Sequence, residues 1–290
     1  MSEFFVENEI VIRLAAFFGI FGVMASWEIL APRRRLSVGK AERWASNIGI
    51  VVLNTVLLRV LFPTAAVGVA LAAEQGGWGL FQQFEIPPLV AFVGAIVFLD
   101  FAIYLQHVMF HAVPALWRLH RVHHADLDFD VTTGARFHPI EIVLSMLIKF
   151  AVILVLGPPV AAIIAFEVLL NATAMFNHSN VRLPLALDRM LRLLVVTPDM
   201  HRVHHSVEDD ETNSNFGFNL PWWDRLFGTY RAQPRGGHEA MTIGIRTFRD
   251  PKQCERLPAM LWLPFAAPVT EYAINRRQWN GKSGSENDES

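Results

Sequence analysis

The chain has 290 residues with 25 Lys and Arg against 27 Asp and Glu, a net charge of −2, so no basic surface suggests a nucleic-acid partner. An apolar share of 52%, only 18% charged residues and a positive mean hydropathy argue against a soluble domain and for a membrane protein. One cysteine, Cys254, cannot close an internal disulfide, which fits a reducing compartment on the catalytic side.

In chain order, the acidic start MSEFFVENE lacks the basic region of a cleaved signal peptide. Residues 10–31 are long and apolar enough to cross a bilayer. Arg13 near one end can snorkel, and Trp27 and Glu28 lie near the other. PRRRLSVGKAER then forms the densest basic loop. A second span is expected over 46–73, interrupted by Arg59 and Pro63, and a third over 86–107. The loop between them, Glu74 to Glu85, has no Lys or Arg. That asymmetry predicts a cytoplasmic Arg33–Arg43 loop and returns the end of the third span to the cytoplasmic face.

A fourth apolar stretch runs from His138-Pro139 to Leu156, turns at Gly157-Pro158-Pro159 and returns through 160–176. It spans or re-enters, and Lys149 inside it carries a mid-bilayer cost of about 2.5–3.5 kcal/mol on insertion scales. Residues 183–196, leucine-rich with interspersed Arg, read equally as an interfacial helix or a buried packing helix. Residues 257–274 are apolar but broken by three prolines, and read as an interfacial or capping segment. The polar tail 281–290 is expected to be disordered, leaving one domain over 1–280.

The histidines carry the chemistry. Between His107 and His124, five of the chain's eleven fall within eighteen residues. His107 and His111 are four apart, and His120, His123 and His124 have i, i+3, i+4 spacing, each gathering side chains on one helical side. HRVHH then recurs as His201, His204 and His205. Eight clustered imidazoles, with His138 and His178 besides, exceed the three or four ligands of one zinc and point to two ions with four or five nitrogens each. Imidazole alone does not choose the metal. Hydropathy and histidine spacing are independent, and both place every cluster at one membrane face.

These motifs resemble the fatty acid hydroxylase and sterol desaturase superfamily of membrane di-iron enzymes. HxxxH stands at His107–His111 and HxxHH at His120–His124 and again at His201–His205. The flanking matches are Asp100-Phe101, Tyr104, Pro114, Leu116-Trp117-Arg118, Thr197-Pro198, Asn215-Phe216-Gly217 and Trp223 through Tyr230. The resemblance covers roughly residues 90–232. It implies an all-α integral membrane protein of four or five transmembrane or re-entrant helices, with a cytoplasmic helical cap holding a di-metal site. The membrane would be a bacterial inner membrane or an endoplasmic-reticulum equivalent.

It further implies two iron ions, with zinc a substitute in purified material, using O2 to hydroxylate or desaturate a membrane lipid. The electrons would come from a separate ferredoxin, cytochrome or reductase, because the chain has no dinucleotide fingerprint. His178 resembles an additional ligand of the family. Some relatives carry a further histidine four residues earlier, where Ala174 stands here, and His138 or Asn177 are candidates to fill that place. His238 reads as a surface residue. Asp100, Glu141 and Asp199 are candidate acceptors behind the ligands. Arg118, Arg121 and Arg202 read either as a docking surface for the electron donor or as lipid-phosphate or supporting contacts. A zinc hydrolase lacks its HExxH glutamate here. A haem carrier would leave the HxxHH doublets unexplained.

Overall fold

A computed structural model describes residues 8–269. Among these residues the fold is all helical, with two isolated bridges, Pro32–Val181 and Ser206–Ile243, as the β pairing. Up to residue 180, the described helices longer than two turns are α1 (Glu9–Leu30), α2 (Lys40–Leu61), α3 (Ala65–Gly76), α4 (Pro88–Ala112), α5 (Pro114–His124), α6 (Pro139–Leu156) and α7 (Val160–Asn177). Two-turn α8 (Leu185–Leu191) and α9 (Pro198–His204) follow, then α10 (Leu257–Ala266). Proline at the first or second position opens α4, α5, α6, α9 and α10, where its missing N–H costs nothing and its φ is already helical.

Five apolar runs are long enough to cross a membrane: α1, the α2–α3 run, α4, α6 and α7. Their outward residues, among them Val11, Phe18, Val56, Val60, Leu89, Val93 and Val155, are exposed and apolar, as a surface facing acyl chains requires. This is a multi-pass membrane protein. The second span differs from the expected 46–73. The run, Lys40–Gln83, encloses it and breaks at Phe62-Pro63: α2 alone covers 22 residues, and α3 beyond the break packs on α6 and α7.

Each span presents one end to a single polar layer. Glu28 at the end of α1 accepts from the Val131 and Asn180 amides, at 2.7 and 2.6 Å. Arg43 at the start of α2 pairs with Asp126 and Asp130, at 2.6 and 2.7 Å. His107 and His111 end α4, Glu141 begins α6, and His178 caps α7. At the opposite end, the α6–α7 turn is pressed so closely by Trp78 and Gly79 that a Cβ on Gly157 would lie 2.1 Å from the Trp78 carbonyl oxygen. Gly157 also has φ +58°, so two constraints select glycine there.

The loops and short helices beyond α7 close over the polar layer. α10 packs on α5 and α2, burying Met260 and Leu263 over Val122 and Ile50, in agreement with a capping segment. Helix α8 covers only the first half of 183–196. It exposes Leu185, Leu187 and Met190 while Asp188 is buried. Residues 270–274 of the capping segment and the 281–290 tail lie outside the described residues.

Candidate metal centre

Helix geometry sorts the histidines. At about 100° per residue, positions i and i+4 differ by about 40°, whereas i+3 and i+4 differ by about 100°. The pairs His107/His111 and His120/His124 therefore point one way, joined by His204. The pair His201/His205 points into a second group, joined by His123 and His178. Each HxxHH motif is thus divided, its i, i+4 pair on one side and its middle histidine on the other. Within each group the ligand-capable nitrogens all lie within 4.8 Å of one another, and all nine side chains are buried.

Backbone carbonyls set the proton positions. A carbonyl can only accept, so Nδ1 carries the hydrogen in His107, bonded to Phe216 O at 2.8 Å, and in His204, bonded to Ser214 O at 2.7 Å. In the neutral rings, both Nε2 atoms then present lone pairs to each other across 3.0 Å. His178 repeats the arrangement. Its Nδ1 donates to Ala174 O at 2.9 Å, and its Nε2 faces those of His123 and His201 at 3.2 and 3.0 Å. Further buried nitrogens have no hydrogen-bond partner: Nε2 of His120, Nδ1 of His123, His124 and His201, and both of His205.

Burial keeps the rings outside the spans neutral. It holds His120 and His178 down at about 3, and His123, His124, His201, His204 and His205 well below the ordinary imidazole value, with the neighbouring histidines adding to the effect for those five. Converging lone pairs without protons require a cation. Nitrogens about 2.0–2.1 Å from one ion are separated by about 2.9–3.4 Å at angles between square and tetrahedral, which the observed 3.0–3.2 Å spacings match. The donor set fits metal binding.

The supporting contacts explain the flanking motifs. Glu141 accepts from His120 Nδ1 at 2.6 Å, as expected of a carboxylate behind a ligand. Asp100 and Asp199 differ from that expectation. Asp100 accepts from the Asn219 and Leu220 amides and from Trp223 Nε1 at 2.8 Å, fixing the loop rather than an imidazole. Asp199 pairs with Arg202 and Arg33. Asn215, at φ +52°, makes the left-handed step between the two carbonyls that hold His204 and His107. Asp224 holds the next amides, Phe216 and Gly217, at 2.8 Å each.

A Cβ on Gly217 would lie 2.6 Å from the Asp224 carboxylate and 2.8 Å from Leu220 O. Gly217→Ala is therefore expected to destabilise the protein by about 1–3 kcal/mol, read as a lowered unfolding temperature in detergent.

His138 is not brought into either group. Its Nδ1 caps α6 by accepting from Ile140 N at 3.2 Å, and its Nε2 lies 3.2 Å from Leu261 O, so both nitrogens are engaged elsewhere. Asn177 is buried and donates to Phe218 O. His238 is buried rather than at the surface, because its loop folds back on Arg34 and places it beside Gln233 and Asp199. Arg121 and Arg202 are also buried. Arg121 bonds the carbonyls of Leu263 and Ala267, and Arg202 pairs with Asp199, so neither belongs to an exposed docking surface.

Aromatic rings, which spacing did not reveal, enclose the groups. Phe137 stacks on His123 at 4.5 Å, Phe129 on His178 at 5.6 Å, and Trp117 lies 5.0 Å from His111. One side stays open. A cavity of about 350 Å³ reaches His107, His120, His123 and His201 from between α1, α2, α4, α6 and α7.

Residues 92–229 match the fatty acid hydroxylase family model. The chain is 31% identical over 155 residues to an ornithine lipid hydroxylase of Rhizobium tropici, covering 53% of this chain and 46% of that protein. It is 28% identical over 235 residues to an alkylglycerol monooxygenase of Xenopus tropicalis, covering 79% and 50%, and 28% over 193 residues to the human one, covering 66% and 42%. The chain thus spans about half the length of the curated relatives it matches. No solved structure matches it. The buried histidine groups and the matched segment, which carries all nine of those side chains, lead to one assignment: residues 92–229 of this chain belong to the fatty acid hydroxylase superfamily.

Proposed function

We propose that the protein is a di-iron, O2-dependent lipid hydroxylase, drawing electrons from a separate carrier and acting on a membrane lipid through a site on the cytoplasmic side. The observation that carries this reading is the pair of buried imidazole groups, of five and four, at the closed end of a cavity within the membrane-spanning helices. The relatives' names, ornithine lipid hydroxylase and alkylglycerol monooxygenase, support a lipid C–H bond as the target.

His107, His111, His120, His124 and His204 would hold one ion, and His123, His178, His201 and His205 the other. Iron bound there would supply the activation of O2 that no side chain can provide. The chain's own residues hold, orient and enclose. Phe216, Ser214 and Ala174 keep the Nδ1 protons of His107, His204 and His178 and leave each Nε2 bare. Glu141 holds a proton at His120 Nδ1. Phe110, Phe137, Ile103 and Met175 give the cavity apolar walls beside the histidines, which excludes water and suits a hydrocarbon chain.

Glu141→Ala is expected to lower metal affinity about 10–100-fold, measured by competition with a chromogenic chelator. The reading as a whole is tested by metal analysis of anaerobically prepared protein together with comparative lipidomics of cells with and without it. About two irons per chain and a lipid gaining sixteen mass units support hydroxylation, while a loss of two mass units moves the assignment to desaturation. A Soret band, or a single zinc with no lipid change, sinks it.

A further inference from the structure

The cavity is chemically graded along its length. Beside the histidines its walls are Phe110, Phe137, Ile103 and Met175. Away from them they become polar through Ser145 and Asn171 and end in three charged side chains, Arg13, Lys149 and Glu167. Glu167 is nearly fully buried. It lies 2.9 Å from Lys149 Nζ and 3.1 Å from Arg13, which also pairs with Glu9 at 2.6 Å. Charges within a bilayer are costly and face a cavity or a partner, and these do both. Helix rise puts Lys149 about 12 Å along α6 from Glu141, and Glu167 roughly 16 Å along α7 from His178.

With Glu9 the network holds two cations and two carboxylates, but Glu9 is not among the side chains that line the cavity. Here two cations and one carboxylate line the same end of the cavity, and Lys149 has three donor hydrogens with one carboxylate partner at 2.9 Å. The cavity is charged where it is farthest from the histidines and apolar where it meets them. A lipid entering with its polar group first toward the histidines would leave that group among phenylalanines and its hydrocarbon among charges.

We propose that Arg13 and Lys149, braced by Glu167, seat an anionic group of the substrate lipid, a carboxylate or a phosphate, so that a C–H bond well along the hydrocarbon chain lies at the histidines. This deepens the hydroxylase reading and rests on it only for the identity of the reaction. The cluster then acts as a ruler: the distance from the charges to the imidazoles selects which carbon is presented.

The test measures binding without turnover, so it is separable from the oxygenase assignment. Purified full-length protein in phosphatidylcholine nanodiscs is loaded with 11-(dansylamino)undecanoate, which is displaced by dodecanoate, dodecyl phosphate, dodecanol or dodecylamine. Dodecanoate or dodecyl phosphate is expected to displace it about tenfold more tightly than dodecanol, and whichever binds better identifies a fatty-acid or a phospholipid source. Lys149→Met should abolish that preference while leaving dodecanol unchanged, and Lys149→Arg should keep it. If Lys149→Met does not fold, Arg13→Gln gives the same reading. Equal binding of all four probes, tighter dodecylamine, or an undiminished preference in Lys149→Met overturns the proposal. Preferential anion binding by a protein that holds no iron would leave this inference standing and remove the hydroxylase reading.

Discussion

His204→Ala is expected to reduce product formation more than about 100-fold and to lower metal content from about two to about one per chain. His204 is the single residue that α9 contributes to the group otherwise built from α4 and α5. Its Nε2 lies 3.0 Å from that of His107, and its ring sits within 4.7 Å of those of His111 and His124. Removing it leaves the bare Nε2 of His107 without its counterpart and the four imidazoles of the second group intact, so the loss should be selective for one ion.

His138→Ala supplies the contrast. The same change of residue type should leave metal content and product unaltered and cost only the α6 cap, about 1 kcal/mol, because both nitrogens of His138 are engaged with backbone. Metal content by elemental analysis, beside product by mass spectrometry, reads both variants. Full activity in His204→Ala would remove the site assignment.

Arg43→Ala is expected to cost about 3–5 kcal/mol of stability, the largest effect of a single change outside the histidines. The guanidinium is fully buried between Asp126 and Asp130, and Trp44 Nε1 and the Thr133 hydroxyl complete the satisfaction of the same carboxylates, at 2.8 and 2.7 Å. Deleting it strands two carboxylates in a dry interior. The consequence reaches the metal centre, because Gly134 in the same loop packs so tightly on α7 that a Cβ would stand 3.0 Å from His178 Nδ1 and 2.7 Å from Ala174 O. Unfolding in detergent should show the loss. Arg43→Met combined with Asp126→Asn and Asp130→Asn should recover part of it, since no uncompensated charge remains. A single variant as stable as the parent would mean the network is solvated.

Local order alone accounts for much of this protein. Apolar runs of 18 residues or more, prolines at helix starts and the spacing of HxxxH and the two HRVHH segments are properties of contiguous residues. They specify five membrane-length helices and a surplus of imidazoles at their ends. The i, i+3, i+4 spacing predicts one helical side for all three histidines of each HxxHH, yet the i+3 histidine, about 100° round from i+4, turns to the other group in both motifs. What only the tertiary structure decided was pairing across the chain. His138 and His178 look alike as isolated histidines, and each engages its own helix through Nδ1, yet helix packing turns the Nε2 of His138 to the Leu261 carbonyl and that of His178 to His123 and His201. Lys149, costly when read alone, finds Glu167 and Arg13 only once three helices pack. Asp100, a candidate acceptor behind the ligands by its place on α4, is claimed by Trp223, 123 residues away. Spacing along one helix is set by covalent geometry, whereas which buried donor meets which acceptor depends on how the helices pack, and no stretch of sequence holds that by itself.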